Sequence, residues 1–157
     1  MNNVISVTAT GYSAGCTASS PVTATNDFSS FGNSYQKVTL VYTFANPLPT
    51  GSVAIAMVYN GQNVQASFNA GSGYNAYSWS GSGPCSMNQS FYISSASVSG
   101  NQLSVELTSC NGNCFNFNGT LTGNLIDVNS SMMYALYNLN IGSSRSISSF
   151  YDYALCS

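Results

Sequence analysis

Charge is what this sequence has least of. Only 4% of its 157 residues are Asp, Glu, Lys or Arg, against about a quarter in an ordinary soluble domain. The charges are Asp27, Lys37, Glu106, Asp127, Arg145 and Asp152, and histidine is missing altogether. With two cations there is no basic patch to neutralise phosphates, which argues against a nucleic-acid partner and against an anchor on an anionic lipid surface. Without histidine, neither a Ser-His-Asp nor a Cys-His arrangement can be built. The four acids are sparse and nothing local pairs them, so they read as solvated or loosely bonded carboxylates rather than as the acid pair of a glycosidase. No enzyme activity, cofactor or metal site is expected. Long apolar runs are lacking as well, so no segment reads as a membrane span. The opening MNNVISVTATGY has neither the basic start nor the apolar stretch of a signal peptide, and the composition suggests a mature or trimmed form.

Polarity comes instead from 29 Ser, 19 Asn and 11 Thr. Hydroxyls and amides take the place of ionised groups in keeping the surface wet. Acid unfolding works mainly through paired carboxylates and buried neutral histidines, and this chain has few of the former and none of the latter, so it is expected to tolerate acid. Three glycosylation sequons occur, at Asn88, Asn118 and Asn129; each is a candidate for modification or an ordinary surface asparagine.

Helical periodicity is nearly absent, and strand alternation dominates. In SVAIAMVYNGQNVQASFN, Asn60-Gly61 is a type I′ hairpin signal. With those two residues as the loop, Met57 faces Val64, Ile55 faces Ala66 and Val53 faces Phe68, so turn and alternation choose one register. In SFYISSASVSGNQLSVELTSC, Gly100-Asn101 suits a type II′ loop. That register sets Val98 against Leu103, Ala96 against Val105 and Ser94 against Leu107 on an inward face. The other face pairs Ser97 with Ser104 and Ser95 with Glu106, toward water. YQKVTLVYTF (35–44) alternates cleanly, and GYNAYSW, GTLTGNLIDV, MMYALYNLNI and RSISSFYDYAL complete the strand candidates. MMYALYNL reads as strand rather than helix because Tyr, Asn and its Ser-rich flanks favour it.

Many short strands with Gly/Asn turns predict an all-β, antiparallel sandwich, Ig-like or jelly-roll-like. One stretch departs from that rhythm. VISVTAT (4–10) alternates Ile5, Val7 and Ala9 with Ser6, Thr8 and Thr10, and residues 11–34 then run on without a strong period. Connections of that length are uncommon in compact domains. The division expected is therefore an N-terminal strand and linker over 1–34 and a sandwich domain over 35–157. The first strand, on its leash, either folds back onto its own sheet or adds to another subunit's.

The five cysteines are Cys16, Cys85, Cys110, Cys114 and Cys156. CNGNC resembles neither a zinc site, which needs about four ligands at set spacing, nor a redox C-x-x-C at a helix start. Disulfides in an oxidising place are the expected use. Extending the second hairpin's register brings Cys85 nearest to Cys114, so that pair is expected, leaving one pair and one thiol among Cys16, Cys110 and Cys156. A separate cluster, Tyr77 and Trp79 in GYNAYSWSGSG, shares a strand face that would stack on a sugar ring or simply fill a core.

Taken together, VISVTAT with its Ser/Thr leash and strands such as FYISSASVSGNQLSVELTS resemble secreted β-rich surface proteins of hot-acid crenarchaea. In composition the chain is similar to the subunits of their thread-type filaments, and a virion surface protein from that habitat would look much alike. The resemblance implies an extracellular structural role. An N-terminal strand, here residues 3–10 with Ile5, Val7 and Ala9 as plugs, would complete the sandwich of the next copy, with glycans on the outside. Partners would be copies of itself or other surface proteins. The alternative is a carbohydrate-binding or surface-adhesion module using Tyr77 and Trp79.

Overall fold

The computed structural model describes residues 2–12, 21–72, 74–75, 85, 89–110 and 114–142. Within these the chain runs β1 (Val4–Tyr12), β2 (Val22–Thr25), β3 (Asn33–Tyr35), β4 (Lys37–Phe44), β5 (Ser52–Tyr59), β6 (Gln62–Asn69), a single 3-10 turn (Ala70–Ser72), β7 (Tyr74–Asn75), β8 (Phe91–Ser99), β9 (Gln102–Ser109), β10 (Phe115–Phe117), β11 (Gly119–Asp127) and β12 (Met133–Ile141). Every strand pairing among them is antiparallel. The strands form a six-stranded sheet in the order β2-β1-β4-β9-β8-β7, a four-stranded sheet β12-β11-β5-β6, and a two-stranded sheet β10-β3. Inward residues of all three enter one hydrophobic core. The fold is all-β, multi-sheet and disulfide-bonded.

The alternation in the sequence sets these faces. Along β4, Val38, Leu40, Tyr42 and Phe44 are buried, while Lys37, Thr39, Val41 and Thr43 lie partly exposed on the other side. The β5–β6 hairpin has the expected register throughout, from Tyr59↔Gln62 to Val53↔Phe68. Its turn residues Asn60 and Gly61 sit at φ 46° and 84°, the double positive φ of a type I′ turn. MYALYNLNI is a strand, β12, with Leu136, Leu139 and Ile141 buried.

The β8–β9 hairpin follows its expected register only as far as Ser95↔Glu106. There a bulge intervenes, and Leu107 faces Ile93 instead of Ser94. The extra residue puts the apolar Ile93 on the core side and sends the Ser94 hydroxyl outward to Glu106 Oε1 at 2.8 Å and Thr108 Oγ1 at 2.6 Å. Burial of Ile93 outweighs an unbroken ladder at this point. Ser95, expected at the water face, is buried; β7 pairs along β8 here, so β8 is not an edge strand.

Within the stretch 11–34, residues 21–34 hold β2, the start of β3, and Phe28 and Phe31, both fully buried. Asp27 makes the turn that aims them. Its Oδ1 accepts from the Ser29 amide at 3.1 Å and the Ser29 hydroxyl at 2.7 Å, the Asx geometry that substitutes for a backbone turn. The Phe31 amide then donates to Phe28 O. Phe31 touches the rings of Phe28, Tyr35 and Phe117, and from Phe117 the cluster continues through Tyr59 and Phe115, both of which reach Phe91, all in stacked or edge contact at centroid distances of 4.9 to 6.1 Å. These rings join the β3–β10 pair to the two larger sheets. No buried side-chain polar atom among the described residues lacks a partner.

Candidate functional site

The proposed donor segment, β1, is an interior strand of the six-stranded sheet. It pairs with β2 from Thr8↔Thr25 to Gly11↔Val22 and with β4 from Val4↔Phe44 to Tyr12↔Lys37. Two asparagines fasten it. Asn26, at φ 62°, exchanges two bonds with Val7: its amide donates to Val7 O at 2.9 Å and its Oδ1 accepts from the Val7 amide at 2.8 Å. Asn2 donates to Asn46 O and Pro47 O and accepts from the Asn46 amide at 2.8 Å. Val7 and Ala9 lie in the core, as the alternation requires, but Ile5 is 54% exposed. A bulge between Val4 and Ser6 breaks the alternation and hands the inward position to Val4. Gly11 lies against the Tyr35 ring, where any side chain would collide.

The cysteines differ from expectation. Cys85 bonds Cys110, with Cα atoms 5.6 Å apart, and not Cys114. Past the bulge the shifted ladder runs from Ile93↔Leu107 to Phe91↔Ser109, and the Cys110 amide donates to Ser90 O. Beyond that the chain leaves the hairpin: Phe115 pairs with Tyr35 of β3, so register extrapolated from β8–β9 no longer applies at Cys114. Cys114 is itself disulfide-bonded. CNGNC therefore anchors two bridges. Among the described residues no group of His, Cys, Asp or Glu could hold a metal ion.

Other candidates scatter. Tyr77, Trp79 and Asn88 lie outside the described residues. Asn118 and Asn129 are both exposed, Asn129 in the turn between β11 and β12. There the Asp127 carboxylate accepts from the Asn129 amide at 3.1 Å and the Ser130 hydroxyl at 2.9 Å, which makes Asp127, like Asp27, a turn-former. No helix of the described residues is long and apolar enough to cross a membrane.

One polar cluster escaped the sequence reading. On the outer face of the six-stranded sheet, Lys37 Nζ lies 3.6 Å from Glu106 Oε2 and 4.7 Å from the ring centroid of Tyr12. The two side chains are 39% and 29% exposed, so the pair contributes only about 0–1 kcal/mol to stability. Its signal in the sequence was faint: Lys37 and Glu106 are 69 positions apart, and only the β4–β9 pairing, Thr39↔Glu106, brings them together. Deeper in, burial pushes the hydroxyls of Tyr35 and Tyr42 above the ordinary tyrosine range, Tyr42 far above it. Burial also raises that of Tyr59, and a hydrogen bond with the Asn118 backbone partly offsets it.

No protein-family model, curated protein or solved structure matches the chain.

Proposed function

We propose that the chain is a structural protein of an extracellular surface, a β-sandwich subunit that polymerises by lending residues 3–10 to the next copy and is not a catalyst. The observation that carries this reading is the setting of β1. It is an interior strand whose Val7 and Ala9 are fully buried, flanked on both sides by paired strands, and residues 13–21 join it to β2. A strand held that way can be exchanged for the same strand of a neighbour with its contacts conserved, the logic of domain swapping. A nearly uncharged surface favours such association because copies meet little mutual repulsion. Disulfides fit an oxidising exterior, and glycans on Asn118 and Asn129 would coat the outside of the polymer.

Negative-stain microscopy of the native protein tests the reading. It is expected to show thin threads that are absent when residues 1–12 are deleted. A monodisperse particle of single-chain size, unchanged in protease resistance by that deletion, would overturn it.

A further inference from the structure

We infer that the outer face of the six-stranded sheet carries a binding groove for neutral sugars, centred on Glu106. The inference is independent of strand exchange. Strand pairing lays out two rows of side chains on this face. One runs Thr23, Thr10, Thr39, Glu106, Ser95 across β2, β1, β4, β9 and β8; the next runs Thr25, Thr8, Val41, Ser104, Ser97. At the β1–β2 end the hydroxyls satisfy one another, Thr8 with Thr25 at 3.1 Å and Thr10 with Thr23 at 3.2 Å. At the β9–β8 end they do not. There a cavity of about 230 Å³ opens, lined by Thr39, Ser95, Ser97, Ser104 and Glu106 together with Ala96 and Val105, and no described residue takes up the hydroxyls of Thr39, Ser97 or Ser104.

The chemistry of the walls selects the ligand. An anion would meet the Glu106 carboxylate. A cation would find the Glu106 carboxylate already paired with Lys37, 3.6 Å away. An apolar ligand would strip water from hydroxyls and offer them nothing in return. A neutral polyhydroxy ligand meets none of these costs. Glu106 accepts from Ser94 on Oε1 and faces Lys37 with Oε2, yet a carboxylate has about four acceptor sites, so it retains capacity for sugar hydroxyls. Lys37 keeps N–H donors beyond its contact with Glu106, and bonds from ionised groups are about twice as strong as neutral ones. The cavity is smaller than the roughly 300–1,000 Å³ of pockets for drug-sized ligands, which suits a short saccharide.

The test uses the full-length, oxidised chain and a panel of neutral mono- and disaccharides, read by saturation-transfer NMR and titration. At least one sugar is expected to bind. Glu106→Gln should weaken it about tenfold or more, given the strength of hydrogen bonds to charged groups. Ser104→Trp should abolish binding by filling the groove, and Thr25→Ala, at the far end of the face, should leave it unchanged. Near-UV circular dichroism checks folding, and if Ser104→Trp fails that check, Glu106→Gln decides. Binding to no sugar of the panel, or binding that all variants retain, overturns the inference.

Discussion

Tyr59 shows how single side chains hold this molecule together. It is almost fully buried, and its hydroxyl donates to Asn116 O at 2.6 Å and accepts from the Asn118 amide at 2.7 Å. The oxygen thus ties the end of β5 to the junction of β10 and β11. Tyr59→Phe keeps the ring in its stack but leaves a backbone donor and acceptor without that partner. The expected cost is about 1–3 kcal/mol, measurable as a lower denaturation midpoint at unchanged slope. At this scale the sequence was readable where pattern and turn agreed and unreadable where one residue was inserted. The alternation named Val7, Ala9, Leu40 and Ile55 as inward. It missed the bulges at Ile5 and Ser94, because an extra residue shifts the phase without leaving a mark in composition. Phe28 and Phe31 were hidden for a different reason: two aromatics in DFSSF do not make a period, and only the Asp27 turn brings both inward.

Among elements, hairpins were legible and long-range pairings were not. β5–β6 and β8–β9 are set by adjacent sequence and a two-residue turn. β1–β4, β4–β9 and β5–β11 join segments far apart in the chain, with no local signal for their order. The sulfur bridges illustrate the limit. Register within a hairpin says nothing once the chain departs for another sheet, which is why Cys114 was mistaken for the partner of Cys85. The Cys85–Cys110 bridge closes a 25-residue separation, and the chain-entropy model gives it about 3–4 kcal/mol. Replacing both cysteines with serine should lower stability by about that amount. A change below about 1 kcal/mol would mean that the unfolded chain is already restricted at this loop, and equilibrium denaturation of the double variant decides.

For the whole molecule, scarcity of charge shapes the response to pH. On the alkaline side the buried tyrosines set the sign. Their folded pKa values are raised, so above the ordinary value of about 10 the unfolded chain releases protons that the folded chain still holds. Stability is complete below that value and falls as pH rises through the folded ones. On the acid side there are four carboxylates and no histidine, so little is lost. Melting temperature should stay nearly level from about pH 7 to pH 3 and drop above about pH 10; a steep acid decline would contradict this account.

The same scarcity of charge underlies the proposal that copies join through β1. Thr8 and Val41 face each other across β1 and β4 on the partly exposed side of the sheet. The most direct test places cysteines at both, Thr8→Cys with Val41→Cys, oxidises the assembled protein and separates it on a denaturing, non-reducing gel beside the unmodified chain. Strand exchange predicts a covalent ladder of dimer, trimer and longer species, absent from the unmodified chain and collapsed to one band by reductant. A cross-link confined to single chains would contradict it.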